Sequence, residues 1–310
     1  MPERFNRALG AYLGLAIGDA LGATVEFMRP REILLEHGTH RDIVGGGWLK
    51  LARGQVTDDT TMSLALGDAL LRGGDTGLQR LADAGDETLV HGIALAFVDW
   101  WRAKPVDCGN TCRRGILRYL HEGSLSGPPN DGDGGNGALM RNLPAALATL
   151  GHDAAFERVS IAQARLTHHH PLSDASVLGL GHLLRGLIAG GDHESLCRQA
   201  QAWASQWPAF RYQPYRGRAS AYVVDTVQTV LHHVTAHEDF EDALIATVNQ
   251  GEDADTTGAL AGMLAGARCG AHRLPWRWLG RLQPDTVRAI TDQTSGLLAL
   301  SDRLQEQAHA

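Results

Sequence analysis

Apolar residues along the chain recur mainly at three- and four-residue spacing, which is typical of helices that bury one face. Alternating runs rich in Val, Ile, Thr and aromatic residues, which would indicate strands, are almost absent. The pattern therefore predicts an all-α protein. The predicted helices lie at residues 4–22, 59–73, 87–102, 110–120, 138–150, 155–166, 173–190, 194–205, 220–235, 239–249, 257–269 and 284–306.

Two of the predicted helices carry glycine at four-residue steps, which places the glycines on nearly one face of each helix. A glycine in a helix interior costs about 1 kcal/mol relative to alanine, so a compensating interaction is required. The glycine face of such a helix carries no side chains, so the backbone of another segment can approach it closely. We therefore predict that the first helix is central and buried, and that the second packs closely in the core. The glycines are Gly10, Gly14, Gly18 and Gly22, and Gly258, Gly262 and Gly266.

Length and composition fit one compact domain. The chain has 310 residues, of which 44% are hydrophobic and 20% are charged, as in ordinary globular proteins. It contains no repeat of fixed period, no low-complexity tract and no change of composition along its length. We therefore predict a single domain over residues 1–310.

The charge balance excludes one class of partner. Acidic residues outnumber basic ones by 35 to 28, and no dense Lys/Arg run is present, so binding to nucleic acid is not expected. The first ten residues lack the features of a secretion signal. The most apolar stretches, residues 8–18 and 256–267, are shorter than the roughly 20 residues that cross a bilayer. We expect a cytoplasmic protein.

Two short acidic clusters stand far apart in the chain, at residues 57–60 (TDDT) and 253–257 (DADTT), and each precedes a helical pattern. Asp and Thr at helix starts commonly cap exposed N–H groups, which is the simpler explanation for either cluster alone. Capping needs about one side chain per helix, however, and four carboxylates brought together would repel one another strongly. The pair of clusters therefore predicts a bound cation.

The type of donor atom restricts the choice of metal. Carboxylate and hydroxyl oxygens are hard ligands, so the clusters favour magnesium or manganese over zinc or copper. The two clusters together supply four carboxylates, a number that favours two bound ions over one.

Three further segments carry candidate chemistry. Residues 131–137 (DGDGGNG) run into a helical pattern and could cradle a diphosphate, although an ordinary glycine-rich turn is an equal alternative. Glu26 lies between apolar neighbours, where a lone Glu is usually a surface residue. Residues 168–170 are three consecutive histidines, of which we expect one to contact substrate rather than all three to bind a metal.

In this order, these segments resemble the ADP-ribosylglycohydrolase family over nearly the whole chain. Any one motif is suggestive, and the ordered set is specific. The motifs are GLAIGDALGATVEF, VTDDTTMSLALG, PVDCGNTCRRG, GNGALMRNLPAAL, ARLTHHHPLSDAS, SAYVVDT and VNQGEDADTTGALAGMLAGA.

The resemblance implies an all-α fold around two divalent ions, Mn or Mg. It implies that Glu26 lies beside the metals and that Asp107 acts as general base. The implied metal ligands are Thr57, Asp58, Asp59, Asp253, Asp255 and Thr256. The implied substrate contacts are Asn110, then Asn136 and Gly137 near the phosphates, His168 near the ribose, and Tyr222 stacked on adenine. Tyr212 is the alternative stacking ring, and no particular part of the substrate is implied for Asn110.

Within the family, the motifs are most similar to those of members that remove ADP-ribose from an arginine of dinitrogenase reductase. That similarity implies ADP-ribosylated dinitrogenase reductase as substrate, control by a PII-type nitrogen-signalling protein, and reversible peripheral recruitment to the membrane through an ammonium channel. Two alternatives stay open: a non-catalytic ADP-ribose-binding module, and a di-metal nucleotide phosphohydrolase.

The chain departs from the family pattern in two places. Glu252 stands where relatives commonly have a second glycine, and it could alter metal affinity or simply face solvent. The segment between Leu71 and Trp100 looks longer than in near relatives, which we interpret as an extended loop or helix.

Overall fold

The computed structural model of the protein describes residues 1–308, and those residues form α-helices, three short 3-10 helices and no β-strand. The predicted all-α class is confirmed. The α-helices are α1 (Glu3–Gly22), α2 (Pro30–His37), α3 (Asp58–Ala84), α4 (Thr88–Arg102), α5 (Asn110–Glu122), α6 (Leu143–Ala148), α7 (Asp153–Arg165), α8 (Pro171–Ile188), α9 (His193–Gln206), α10 (Val223–Ala236), α11 (Phe240–Val248), α12 (Ala254–Cys269), α13 (Trp276–Leu279) and α14 (Pro284–Ala308).

The centre of the fold is an antiparallel pair of helices, α1 and α12. Their glycines face each other so closely that a Cβ added at any of them would overlap backbone atoms of the partner helix. Both helices are buried along almost their whole length. The expectation of a central, closely packed glycine face is confirmed. The facing pairs are Gly10 with Gly266, Gly14 with Gly262, Gly18 with Gly258, and Gly22 with Ala254.

This pairing determines where the functional residues can lie. Because the two helices run in opposite directions, the last turn of α1 meets the first turn of α12. One cluster of buried apolar side chains surrounds the pair and extends from Ala8 to Leu304. The central pair therefore brings sequence motifs from opposite ends of the chain to one end of the core.

The predicted helix at 138–150 is wrong at its start. Residues 138–142 form turns, and α6 begins only at Leu143. Pro144 lies in the first turn of α6, where its missing N–H costs nothing, and the side chains of Arg141 and Asn142 bind neighbouring segments instead of solvent. The first part of this apolar run therefore forms a buried loop, although its spacing is helical.

Other boundaries also differ from the prediction. Helix α3 continues to Ala84 across a break at Gly74, whose φ of 66° lies in the left-handed region. Helix α2 was not predicted, although Pro30 in its first turn and Glu32, whose Oε2 accepts the Arg29 N–H at 2.7 Å, are start signals. The short helix α13 was also missed.

None of the helices in residues 1–308 combines the length and the apolar character that a membrane-crossing helix requires.

Candidate metal centre and substrate cleft

The two acidic clusters meet at one end of the central helix pair. Helix α3 begins at Asp58 and α12 begins at Ala254, so both clusters lie at helix starts as predicted. The Thr256 hydroxyl donates to Asp59 Oδ2 at 3.2 Å, although 197 positions separate the two residues in the chain. Segments that are remote in sequence therefore share one site.

The side chains at the two helix starts do not cap them. Neither Thr57 nor Asp253, the residues in the cap positions, makes a side-chain capping hydrogen bond. At α3 that role belongs to Asp19 of α1, which accepts the backbone N–H groups of Thr57 at 3.0 Å and Thr60 at 3.2 Å. The capping alternative therefore fails to explain why these acids are clustered.

Asp19 is a residue that the sequence analysis missed. It is fully buried, and besides the two backbone groups it accepts the Thr60 hydroxyl at 2.5 Å. The available signal was an acid within an otherwise apolar helix, directly after Gly18. Asp19 fixes the start of α3 relative to α1 and leaves the carboxylates of Asp58 and Asp59 free for other contacts.

Burial raises the pKa values of the clustered acids, because charged carboxylates lose hydration and because they face one another. Burial and then the neighbouring Asp107 raise the pKa of Asp58 to about 7. Burial raises the pKa of Asp253 to about 6, and holds the pKa values of Asp59 and Asp255 well above the usual range. A cation among these groups would stabilise their charged forms.

The donor set fits a divalent cation. One oxygen each from Glu26, Asp253 and Asp255 lies within 4.8 Å of the others. Asp59 Oδ1 is buried and has no hydrogen-bond partner. Buried carboxylates are normally paired or bind metals, so an unpartnered oxygen in this position favours a ligand role.

Glu26 is not the surface residue that its local sequence suggests. It is 5% exposed, and burial raises its pKa to about 8, while the Trp48 indole, donating to Oε2 at 2.5 Å, opposes the shift. Trp48 was not predicted, since no sequence pattern connects it with Glu26. The carboxyl of Glu26 thus faces the other acids at the edge of the core.

A cleft of about 280 Å³ opens beside these acids. Thr57 and Asp59 are buried and do not line it. The predicted site residues that line the cleft are Glu26, Asp58, Asp107, Asn110, Asn136, Gly137, His168, Asp253, Asp255 and Thr256.

Asp107 lines the cleft from the segment before α5. It is half-buried, and its Oδ1 accepts the N–H of Cys108 at 2.7 Å. The neighbouring Gly109 N–H donates to Asp58 Oδ2 at 3.4 Å, which connects this segment to the first acidic cluster. Asn110 begins α5 and is exposed at the cleft.

The glycine-rich loop and His168 form another wall. Asn136 donates to Asp253 and to the Thr226 hydroxyl, the latter at 2.9 Å, so the loop is tied to the second acidic cluster. A Cβ at Gly137 would lie 3.0 Å from the His168 ring, which explains the need for glycine. The loop is therefore a built part of the cleft and not a free surface turn.

Hydrogen bonds connect Arg141, Thr167 and the ring of His168 in series. Thr167 Oγ1 accepts from Arg141 at 2.8 Å, so its own proton is available to His168 Nδ1 at 2.7 Å. Burial and the nearby Arg141 hold the pKa of His168 well below its usual value. His168 is therefore neutral, with Nε2 turned towards the glycine-rich loop. The other two histidines do not line the cleft, and His170 caps α8 through the N–H of Leu172 at 3.1 Å.

The two tyrosines named as stacking rings lie in different places. Tyr222 is 45% exposed, and its ring lies beside Gly134 in the glycine-rich loop, next to the cleft. Tyr212 is 3% exposed and lies near Thr235 and Cys197, away from the cleft. A ring packed in that position cannot stack on a ligand, so the position of Tyr212 does not support its assignment.

Glu252 does not point at the acidic centre or simply into solvent. Its Oε2 accepts the backbone N–H of Ala219 at 2.7 Å, which holds the segment that leads to Tyr222. Its φ of 53° lies in the left-handed region, which favours glycine. The structure therefore gives Glu252 a role in positioning the loop.

The comparisons identify the class of protein. Residues 1–308 match the sequence model described as ADP-ribosylglycohydrolase. The chain belongs to the ADP-ribosylglycohydrolase family. The family is metal-dependent, and the acidic cluster of this chain could bind a metal.

The similarity to individual proteins is more informative about the reaction than membership of the family alone. The chain is 53% identical over 300 residues to the ADP-ribosyl-[dinitrogen reductase] glycohydrolase of Rhodospirillum rubrum, covering 97% of this chain and 98% of that protein. It is 32% identical to the ADP-ribosylarginine hydrolase Tri1 of Serratia proteamaculans, covering 94% and 79%. A solved structure, an ADP-ribosylglycohydrolase-related protein complex, superimposes with a TM-score of 0.80 at 30% identity, covering 97% and 100%.

Proposed function

We propose that the protein hydrolyses the bond between ADP-ribose and an arginine of dinitrogenase reductase, and so restores that enzyme to activity. The observation that carries this proposal is the 53% identity over almost the full length of both chains to a relative named for that reaction. The cleft supports it, since ten of the site residues expected from the family motifs line one cavity. The test is metal-dependent release of intact ADP-ribose from ADP-ribosylated dinitrogenase reductase.

We assign two divalent ions, manganese or magnesium, to Thr57, Asp58, Asp59, Asp253, Asp255 and Thr256. Support comes from the hard oxygen donors, their burial, and the unpartnered oxygen of Asp59. When bound, such ions supply positive charge that orients ribose hydroxyls and lowers the pKa of water.

The remaining steps belong to side chains of this chain. The bond from the anomeric carbon to the guanidino nitrogen breaks with its electron pair on nitrogen, and positive charge develops on the ribose. The carboxylates that line the cleft stabilise that charge. We assign Asp107 to accept the proton of the attacking water, and Glu26, whose pKa burial raises to about 8, to return a proton to the leaving guanidine.

The other cleft residues hold the ADP-ribose. We assign Asn136 and Gly137 to the phosphates, His168 to the ribose through its Nε2, and Tyr222 to the adenine ring. Asn110, which lines the same cleft, is a further substrate contact. Neutral donors suit this role because they bind phosphate and hydroxyl oxygens without competing for the metals.

The products separate this function from the two alternatives. A nucleotide phosphohydrolase would cut the diphosphate and yield AMP, whereas glycosidic cleavage leaves ADP-ribose whole. A binding module would release neither product. Chromatography of the released nucleotide therefore decides among the three.

Asp107→Asn tests the proton-transfer assignment. We expect turnover to fall by about 10²–10⁴-fold, the usual contribution of a general base, while metal affinity stays within a few-fold of the unaltered protein. The measurements are metal titration by calorimetry and the rate of ADP-ribose release. Parallel loss of metal binding would instead make Asp107 a ligand.

The effect of pH on stability tests the metal centre. The pKa values of Asp58, Asp253 and Glu26 are raised above their unfolded values of about 4. The stabilisation from such groups is complete below the unfolded pKa and is lost as pH rises through about 6 to 8. In EDTA, Tm should therefore be lower at about pH 8.5 than at about pH 5.5.

Added Mn²⁺ should reverse this loss, and the rise in Tm on adding it should be larger at the higher pH, because protons no longer compete for the carboxylates. Thermal unfolding at the two pH values, with and without the ion, measures both effects. An equal metal-induced shift at both pH values would contradict the assignment.

Regulation is a further part of the proposal. We propose control by a PII-type signalling protein and, through an ammonium channel, reversible peripheral attachment to the membrane. The support is the similarity to relatives that act on dinitrogenase reductase. Co-purification with a PII-type protein under ammonium-replete conditions tests it, and repeated failure to recover one counts against it.

A further inference from the structure

Two exposed aromatic rings stand at the mouth of the cleft. Phe27 lines the cleft and is 63% exposed, and Trp48 is 51% exposed. Their ring centroids lie 5.2 Å apart with a tilt of 55°. The indole N–H of Trp48 donates to Glu26, so the pair is attached to the acidic centre.

The backbone holds Phe27 in an unfavourable conformation. Its φ is 64°, in the left-handed region that bulky side chains rarely adopt. Reciprocal hydrogen bonds impose this geometry: the Phe27 N–H donates to the Glu252 carbonyl at 2.6 Å, and the Glu252 N–H donates to the Met28 carbonyl at 2.8 Å. Glu252 is itself in the left-handed region. Two turns from distant parts of the chain are thus hydrogen-bonded to each other beside one exposed ring.

Stability does not explain a phenylalanine at this position. Glycine would adopt the same backbone without strain, and a largely exposed ring gains little from burial. Residues kept in strained conformations are concentrated at sites where the strain positions a group for a ligand. The ring of Phe27 is therefore held for something that enters the cleft.

The chemistry of the pair identifies the ligand. Aromatic faces attract guanidinium groups, which stack on them as flat, weakly hydrated cations. Asp107, the assigned base, lines the same cleft and favours the same charge. A phosphate or a neutral hydroxyl would gain neither interaction.

We propose that Phe27 and Trp48 bind the modified arginine side chain where it leaves the cleft, and thereby select arginine-linked ADP-ribose. This inference rests on the proposed function, because it concerns the group to which ADP-ribose is attached. The residues assigned to ADP-ribose itself, such as Asn136 and His168, come from other segments. Removal of the rings should therefore weaken binding of the arginine side chain and leave the affinity for free ADP-ribose unchanged.

The test compares variants on a small substrate, ADP-ribosylated agmatine, which carries the guanidinium without the protein. For Phe27→Gly and Trp48→Ala, we expect kcat/KM to fall about threefold to thirtyfold, the range expected for a lost cation–π contact. The Kd for free ADP-ribose, measured by calorimetry, should stay within about twofold. Phe27→Tyr keeps the ring and should retain the original kcat/KM.

A matched control and a stability measurement accompany the kinetics. Trp276 is 79% exposed and does not line the cleft, so Trp276→Ala should change neither kcat/KM nor the Kd for free ADP-ribose. Phe27→Gly should keep the original Tm or raise it, since it relieves backbone strain.

Three results would overturn the inference. In the first, kcat/KM is unchanged in Phe27→Gly and Trp48→Ala. In the second, the Kd for ADP-ribose rises as much as kcat/KM falls, which would assign the rings to the nucleotide. In the third, Phe27→Gly lowers Tm, which would make the ring structural. If the unaltered protein releases no ADP-ribose from agmatine or from dinitrogenase reductase, the proposed function itself fails, and this outcome is distinct from the other three.

Discussion

Replacing Asp255 with alanine is expected to abolish metal binding and turnover together. Asp255 is 2% exposed, and one of its oxygens lies within 4.8 Å of oxygens of Glu26 and Asp253. Its removal takes away a ligand and leaves a polar cavity that the remaining carboxylates cannot close. We expect metal affinity to fall by at least about 10²-fold and the rate of ADP-ribose release to become unmeasurable.

The measurements are calorimetric metal titration and product release with saturating Mn²⁺. Asp285→Ala is the matched control, because Asp285 is exposed at the start of α14 and does not line the cleft. Asp58→Ala should behave as Asp255→Ala does. An Asp255→Ala protein that binds metal normally and keeps its full rate would refute the ligand assignment.

Gly18→Ala is expected to destabilise the whole fold. The added methyl would fall on the backbone of Gly258 and Ala259 in α12, and backbone cannot move aside as a flexible side chain can. Overpacking of a core commonly costs about 1–3 kcal/mol, and a clash between two buried backbones should reach or exceed the upper value. The free energy of unfolding, measured by denaturant titration, should fall by about 3 kcal/mol or more.

Gly92→Ala controls for the intrinsic preference of helices for alanine. Gly92 lies inside α4, and an added Cβ there meets no atom within 4 Å. That variant should gain stability, by up to about 1 kcal/mol. A Gly18→Ala protein as stable as Gly92→Ala would show that the helices can separate without cost and that the close approach does not support the fold.

The sequence predicts the framework of this protein because its signals are local. Glycine at positions 10, 14 and 18 can be recognised within one helix, and so can the apolar periodicity on either side. The prediction of a helix at 138–150 was wrong at its start because apolar spacing does not distinguish a buried loop from a buried helix. Only Pro144 indicates where the helix begins.

The site is only partly predictable for a related reason. The acids of the two clusters can be read as a pair because they are in excess over what capping requires. The contacts of Asp19 and Trp48 cannot be predicted from the sequence, since each depends on which segments become neighbours in three dimensions. The motifs favour Tyr222 over Tyr212 as the stacking ring, but the burial of Tyr212 becomes visible only in the folded protein.

The antiparallel pairing of α1 with α12 has a consequence for synthesis on the ribosome. The acids of residues 57–60 are made well before their partners at 253–257 and before the helix that carries those partners. A nascent chain therefore cannot complete the centre while it grows, and it exposes the bare glycine face of α1 until then. Long-range closure of this kind slows folding, so chaperone demand and proteolytic loss should be greatest for chains stalled before α12.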